Sequence, residues 1–181
     1  MNITVYLGAQ EGKAPHLKQA VKELGTWIGE SGHTLIYGGS KSGLMGELAE
    51  SVLLAGGEVI GVEPRFLVEK GLVYDDITEL IVTETMAERK AAMIRLGDAF
   101  LAFPGGTGTL EEIAEIMSRA AWGFLNAPCI IYNLDGYYND LQSLLLHMAE
   151  MGLSSAERQQ GIHFASTLQE ITDLLHGRSG I

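Results

Sequence analysis

Short apolar runs alternate along this chain with longer stretches of helical periodicity, and glycines cluster directly after the first, second and fifth runs. The runs fall at Ile3–Leu7, Thr34–Tyr37, Glu58–Val62, Glu79–Thr83, Ala99–Phe103 and Cys129–Asn133. Helical patterns lie near Ala14–Ser31, Leu44–Ala55, Met86–Leu96, Thr109–Ala121, Tyr137–Met151 and Leu168–His176. Strands separated by helices pair in parallel through crossovers rather than as hairpins. The expectation is an α/β fold: a single-domain Rossmann-like doubly wound sheet over residues 1–181, mostly parallel, with about six or seven strands. A chain of 181 residues buries enough surface to fold alone. The glycines Gly8, Gly38, Gly39, Gly105 and Gly106 then gather at the C-terminal edge of the strands, where open α/β sheets bind ligands. No repeat, low-complexity tract or linker breaks the pattern, and Gly177-Arg178-Ser179-Gly180 reads as a frayed tail.

The richest of these junctions is Phe103-Pro104-Gly105-Gly106-Thr107-Gly108-Thr109-Leu110-Glu111-Glu112. It leaves an apolar strand and enters a helix with apolar residues at Leu110, Ile113, Ala114, Met117 and Ala121. Its glycines permit close backbone approach and φ values that other residues resist. Two threonine hydroxyls and the unpaired N–H groups of a helix start favour an anion there. The segment therefore reads as a phosphate cradle with a carboxylate pair one turn inside it. No lysine follows the last glycine, so it is not the nucleoside-triphosphate loop. The dinucleotide fingerprint is also absent, since the first strand leads into Gly8-Ala9-Gln10-Glu11-Gly12.

A second strand-to-helix junction is Tyr37-Gly38-Gly39-Ser40-Lys41-Ser42-Gly43-Leu44-Met45-Gly46, which by itself says only phosphate or nucleotide. A third cluster, Met86-Ala87-Glu88-Arg89-Lys90, puts two cations at a helix start, against the helix dipole. An arginine fork there suits carboxylate or phosphate oxygens. The net charge of −11 excludes nucleic-acid binding through a broad basic surface, yet a few cations near a helix end still make a local anion pocket. No apolar run is long enough to span a bilayer. Met1-Asn2-Ile3-Thr4-Val5 enters a strand without a basic, cleavable leader, so a cytoplasmic protein is expected. Cys129 is the single cysteine and reads as a buried hydrophobe, which rules out an internal disulfide. The 5 histidines, His16, His33, His147, His163 and His176, are scattered, and no metal site is expected.

Together, Pro104-Gly105-Gly106-Thr107-Gly108-Thr109-Leu110-Glu111-Glu112, Arg89-Lys90 and Tyr37-Gly38-Gly39…Gly43-Leu44-Met45-Gly46 resemble the Lonely-Guy-type family, often mislabelled lysine decarboxylase-like. Gly136-Tyr137-Tyr138-Asn139 fits the same pattern, and the similarity covers about residues 1 to 150. The resemblance implies a cytokinin riboside 5′-monophosphate phosphoribohydrolase: a Rossmann-like homodimer, without cofactor, that cleaves a nucleoside 5′-monophosphate to free base and ribose 5-phosphate. It places the catalytic Arg and Glu on Arg89 and Glu112. Gly105, Gly106, Thr107, Gly108 and Thr109 take the phosphate, while Gly39, Met86, Lys90, Leu110 and Glu111 complete the substrate-binding set. The reaction needs such groups, since a carboxylate beside an oxocarbenium-like ribose stabilises its charge or activates water. Arg89 would either hold that carboxylate or contact substrate. Read without the resemblance, Glu112 is an acid in a first helical turn, and Glu115 with Arg119 is an i, i+4 surface pair.

Departures from the family pattern fall on the substrate side. Ser40 stands for a third glycine, Ala87 for a histidine, and Gly8-Ala9-Gln10 for Gly-Ser-Ser. Gly71, with Glu69 nearby, occupies a place where many members carry a glutamate. The reaction class thus carries over more firmly than the cytokinin base, and AMP is the more general description of the substrate. Decarboxylation would need pyridoxal phosphate on a lysine in a suitable context, and none is found; Lys90 beside Arg89 reads as a pocket cation. The alternative function is a non-catalytic nucleotide or molybdenum-cofactor carrier, because carriers of that cofactor share the scaffold.

Overall fold

In the computed structural model, residues 1–177 are described; the Arg178–Gly180 part of the expected tail lies outside them. The chain divides into two compact units, Met1–Asp98 and Ala99–Ile181. Among the described residues seven strands build them, and the strands of each unit pair in parallel, as expected of the Rossmann-like α/β class.

The first unit runs β1 (Asn2–Tyr6), α1 (Pro15–Glu30), β2 (Thr34–Tyr37), α2 (Gly43–Leu54), β3 (Glu58–Pro64), α3 (Arg65–Val68), β4 (Glu79–Thr83) and α4 (Met86–Leu96). Its strands lie in the order β4-β3-β2-β1, with Ile3 against Leu35 and Leu35 against Val59. Pro15 starts α1 at the position where a missing N–H costs nothing. Helices α1 and α2 approach closely because Gly25 and Gly29 carry no side chain; a Cβ on either would lie 2.7 Å from the Cβ of Ser51 or Ala55. Val5, Leu24, Ile28, Leu35, Leu48 and Val59 fill the core between strands and helices. Thr85 caps α4 by accepting from the Glu88 N–H at 3.1 Å, while the Glu88 carboxylate reaches back to the Glu84 N–H at 2.9 Å.

The second unit runs β5 (Ala99–Ala102), α5 (Thr107–Ala121), β6 (Cys129–Tyr132), a 3-10 turn (Leu134–Gly136), α6 (Asn139–Glu150), α7 (Ala156–Gln159), β7 (Ile162–Ala165) and α8 (Leu168–His176). Its strand order is β5-β6-β7. Phe100, Leu101, Ile113, Ile116, Ile130 and Ile171 form its core. Cys129 is buried there, and desolvation pushes its thiol up to about 12, which keeps it a thiol at neutral pH. Besides the 3-10 turn, three elements are not legible in the sequence: α3 and α7 are single turns, too short to show a period, and β7 is a four-residue strand of mixed polarity.

Candidate active site

Helix α5 begins two residues earlier than its apolar period suggests, at Thr107, with extended Gly106 as its N-cap. The first helical bond runs from the Leu110 N–H to the Gly106 carbonyl at 3.1 Å. The N–H groups of Thr107, Gly108 and Thr109 therefore precede the intrahelical ladder and have no partner within it. Gly106, Thr107 and Gly108 are exposed, and a Cβ built on Gly106 or Gly108 would meet nothing within 4 Å. This is open space over a helix N-terminus, the arrangement an anion needs.

The glycines serve close approach rather than left-handed backbone, since neither Gly105, Gly106 nor Gly108 has a positive φ. A Cβ on Gly105 would lie 2.9 Å from that of Thr109, which is 3% exposed. Thr109 thus braces the loop from beneath, leaving Thr107 as the exposed hydroxyl. Two tyrosines hold the loop from the other side. Tyr137 Oη donates to the Gly105 carbonyl at 2.7 Å, and Tyr138 Oη donates to the Phe103 carbonyl at 2.9 Å. Asn133 ties down the segment that carries them, accepting from the Tyr138 N–H at 2.7 Å and donating to Asn139 at 2.8 Å. The sequence marks Gly136–Asn139 as a motif, but the cross-loop bonds explain what it does.

Glu111 and Glu112 separate sharply. Glu111 is exposed and Leu110 is 43% exposed, whereas Glu112 is 8% exposed. Glu112 is the sixth residue of α5, beyond the first turn, so a surface acid complementing the helix dipole does not describe it. It shares a face with Gly108 and Thr109, and helical side chains lean toward the N-terminus, toward the cradle. Burying a carboxylate costs several kcal/mol and is seldom done for stability. Glu115, by contrast, makes the expected surface pair with Arg119 at 2.7 Å.

The first unit by itself contains a buried arginine. Arg89, 5% exposed, donates from Nε to the Val62 carbonyl at 2.9 Å and sits 3.7 Å from Glu63 Oε2. Gly38 has no room for a side chain because a Cβ would collide with Arg89 Nη2. Gly39 has φ +86° and packs on Glu63, where a Cβ would lie 2.6 Å from Cγ. Of the other expected residues on α4, Lys90 is half-buried and Met86 lies exposed at the helix start. Two of the residues that depart from the family pattern have local reasons. Ser40 accepts from the Ser42 N–H at 3.1 Å, and Gly71 turns with φ +68° just past α3. The loop carrying Gly71 pairs with the glycine loop, Lys41 N–H to Leu72 O at 3.1 Å and Tyr74 N–H to Gly39 O at 2.9 Å.

Glu63 was missed in the sequence, although a lone acid ending the run Val59-Ile60-Gly61-Val62 was a visible signal. Tyr37, which ends a strand and opens the second glycine motif, is wholly buried. Its hydroxyl has no hydrogen-bond partner among the described residues, and burial, then the charge of Glu63, hold its pKa above the usual range. An unmet buried hydroxyl costs about 1–3 kcal/mol. Tyr37→Phe is therefore expected to keep or raise the melting temperature. A fall of more than about 4 °C in a thermal melt would show that the hydroxyl is engaged.

Residues 45–175 match the model of a family described as possible lysine decarboxylase. A cytokinin riboside 5′-monophosphate phosphoribohydrolase of Rhodococcoides fascians is 41% identical, over 83% of this chain and 77% of its own length. One from Arabidopsis thaliana is 38% identical, over 96% of this chain and 80% of its own. Among solved structures, the molybdenum cofactor carrier protein of Chlamydomonas reinhardtii superposes with a TM-score of 0.75 at 21% identity, over 97% of this chain and 96% of its own. The molybdenum cofactor binding protein of Rippkaea orientalis gives 0.73 at 24%, over 97% and 95%. At such identities these two speak for the fold alone.

Proposed function

This chain belongs to the family described as possible lysine decarboxylase, which includes the phosphoribohydrolases it matches, and on that premise we propose that it hydrolyses the N-glycosidic bond of a nucleoside 5′-monophosphate. Water oxygen bonds to C1′, the C1′–N bond breaks, and the base leaves with that electron pair and takes up a proton. The products are free base and ribose 5-phosphate. The substrate is a cytokinin riboside monophosphate or, more generally, AMP.

The observation that carries this reading is the buried carboxylate of Glu112 on the helix that presents the anion cradle. In the proposed mechanism the Gly105–Thr109 backbone N–H groups and the Thr107 hydroxyl take the phosphate. Glu112 stabilises positive charge on the ribose or activates the attacking water. Arg89 provides a fixed cation, and Gly39, Met86, Lys90, Leu110 and Glu111 complete the substrate contacts. A carrier would gain nothing from a buried carboxylate beside a phosphate site, which weighs against that alternative. Decarboxylation fits the residues poorly. A lysine linked to pyridoxal phosphate is held in a desolvated pocket, and none of Lys13, Lys18, Lys22, Lys41, Lys70 and Lys90 is buried.

The proposed assembly is a cytoplasmic homodimer, supported by exposed Trp122, Phe124, Leu146, Met151 and Leu153 in the second unit. No helix among the described residues is long and apolar enough to cross a membrane. No group of His, Cys, Asp and Glu among them could hold a metal ion. The test is incubation with a panel of nucleoside 5′-monophosphates, following base release by chromatography, with and without exhaustive chelation. Base release that survives EDTA is expected. Loss on chelation, restored by one divalent ion, would place a metal in the mechanism.

A further inference from the structure

The proposed mechanism gives Glu63 no part, yet it is 3% exposed and bears a carboxylate at the C-terminal end of β3. Adjacent residues of that strand engage the same arginine: Val62 through its carbonyl at 2.9 Å and Glu63 through Oε2 at 3.7 Å. Backbone also packs closely on both side chains. Gly38 lies against Arg89 Nη2 and Gly39 lies against Glu63 Cγ, each with no space for a Cβ. Arg89 is also the fourth residue of α4, where the helix dipole disfavours a cation. A buried guanidinium at such a place needs a counter-charge. We infer that Glu63 is a positioning residue for Arg89, holding its guanidinium in one orientation at the end of β3 as a fixed charge for the reaction.

This rests on the reading that Arg89 serves N-glycoside hydrolysis, and it adds to that reading a residue that never touches substrate. The pair is poor as a stabilising device, because removing two charges from water offsets much of their attraction. It is good as an orienting device, since the Val62 carbonyl and the Glu63 charge both face Nε and hold that edge of the planar guanidinium. Glu63→Gln keeps the volume and loses the charge. Glu63→Asp keeps the charge and withdraws it by one methylene.

The experiment measures AMP hydrolysis by the parent and both variants, together with hydrogen exchange of the Arg89 Nε–H by NMR on protein labelled with 15N-arginine. For Glu63→Gln, kcat should fall by about tenfold or more with KM little changed, and the Arg89 Nε–H should exchange about tenfold faster. Glu63→Asp should fall between parent and Gln in both readouts, a graded rescue that a merely structural role would not produce. Parental kcat in Glu63→Gln, or parental exchange of the Arg89 Nε–H, overturns the inference. If Glu63→Gln does not fold, parental kcat and exchange in Glu63→Asp overturn it. If the parent releases no base from AMP, the proposed reaction fails, and the exchange rates alone decide whether Glu63 holds Arg89.

Discussion

Replacing Glu112 with Gln is expected to lower turnover of AMP by at least about a hundredfold, the scale of losing one preorganised electrostatic or acid–base group. The substitution keeps size and much of the hydrogen bonding, so α5 and its cradle should persist. What it removes is negative charge, and an oxocarbenium-like ribose develops positive charge only on the way to the transition state. The ground state has no such need. AMP binding should therefore persist, and should tighten where the phosphate is relieved of a nearby carboxylate. Effects confined to kcat mark an interaction made in the transition state. Steady-state kinetics with calorimetric AMP binding would read both quantities on one protein. A folded Glu112→Gln variant that hydrolyses AMP at the parent rate would remove Glu112 from the mechanism. A parent that binds AMP and releases base from no monophosphate would instead make this chain a carrier. Arg89→Ala should also abolish turnover, and its effect on binding tells whether the guanidinium touches substrate.

Burial is what separates Glu112 from Glu111, and burial is where the sequence is least explicit. Adjacent glutamates at the start of a helical pattern look alike on paper, and without the resemblance Glu112 reads as a first-turn acid. The structure starts α5 at Thr107, which moves Glu112 past that turn and onto the Thr109 face. The sequence places the helix start at Thr109, two residues late, because neither Thr107 nor Gly108 is an apolar residue that extends the period. Legibility was better where chemistry and backbone coincide. Glycine clusters after apolar runs mark the turns that follow β1, β2 and β5, since a strand that must turn into a helix within a few residues needs them. The β3 run was cut at Val62 because an acid followed by Pro64 looks like a loop, yet β3 pairs with β4 through Pro64. That cut hid Glu63, whose neighbour Arg89 lies 26 positions on. Ion pairs between distant positions leave no local pattern to read. Ala114 errs in the opposite direction: it fits the apolar period of α5 but is exposed.

AMP should be hydrolysed at least about a hundredfold more efficiently than adenosine, judged by kcat/KM. The phosphate lies away from the reacting bond, so its contribution must come through binding energy that holds the ribose in place for attack. The structure offers the means in the second unit alone. Three N–H groups at the start of the 15-residue helix α5 precede its hydrogen-bond ladder, Thr107 adds a hydroxyl, and a Cβ on Gly106 or Gly108 would meet no atom within 4 Å. Hydrogen bonds to a charged group contribute about 1.5–3 kcal/mol each, so two of them account for a hundredfold or more. The cradle must also be rigid, or the binding energy would be spent on ordering the loop. Tyr137 and Tyr138 hold the carbonyls of Gly105 and Phe103, and Thr109 fills the space beneath Gly105. Gly106 and Gly108 are then the places to obstruct. Gly108→Val should erase most of the preference for AMP, because its side chain enters space that is open to the phosphate, while the slower hydrolysis of adenosine should persist. Competition assays with ribose 5-phosphate would show the same loss of phosphate affinity. Equal kcat/KM for AMP and adenosine in the parent would remove the Gly105–Thr109 loop from substrate recognition and leave the exposed N-terminus of α5 without the role assigned to it.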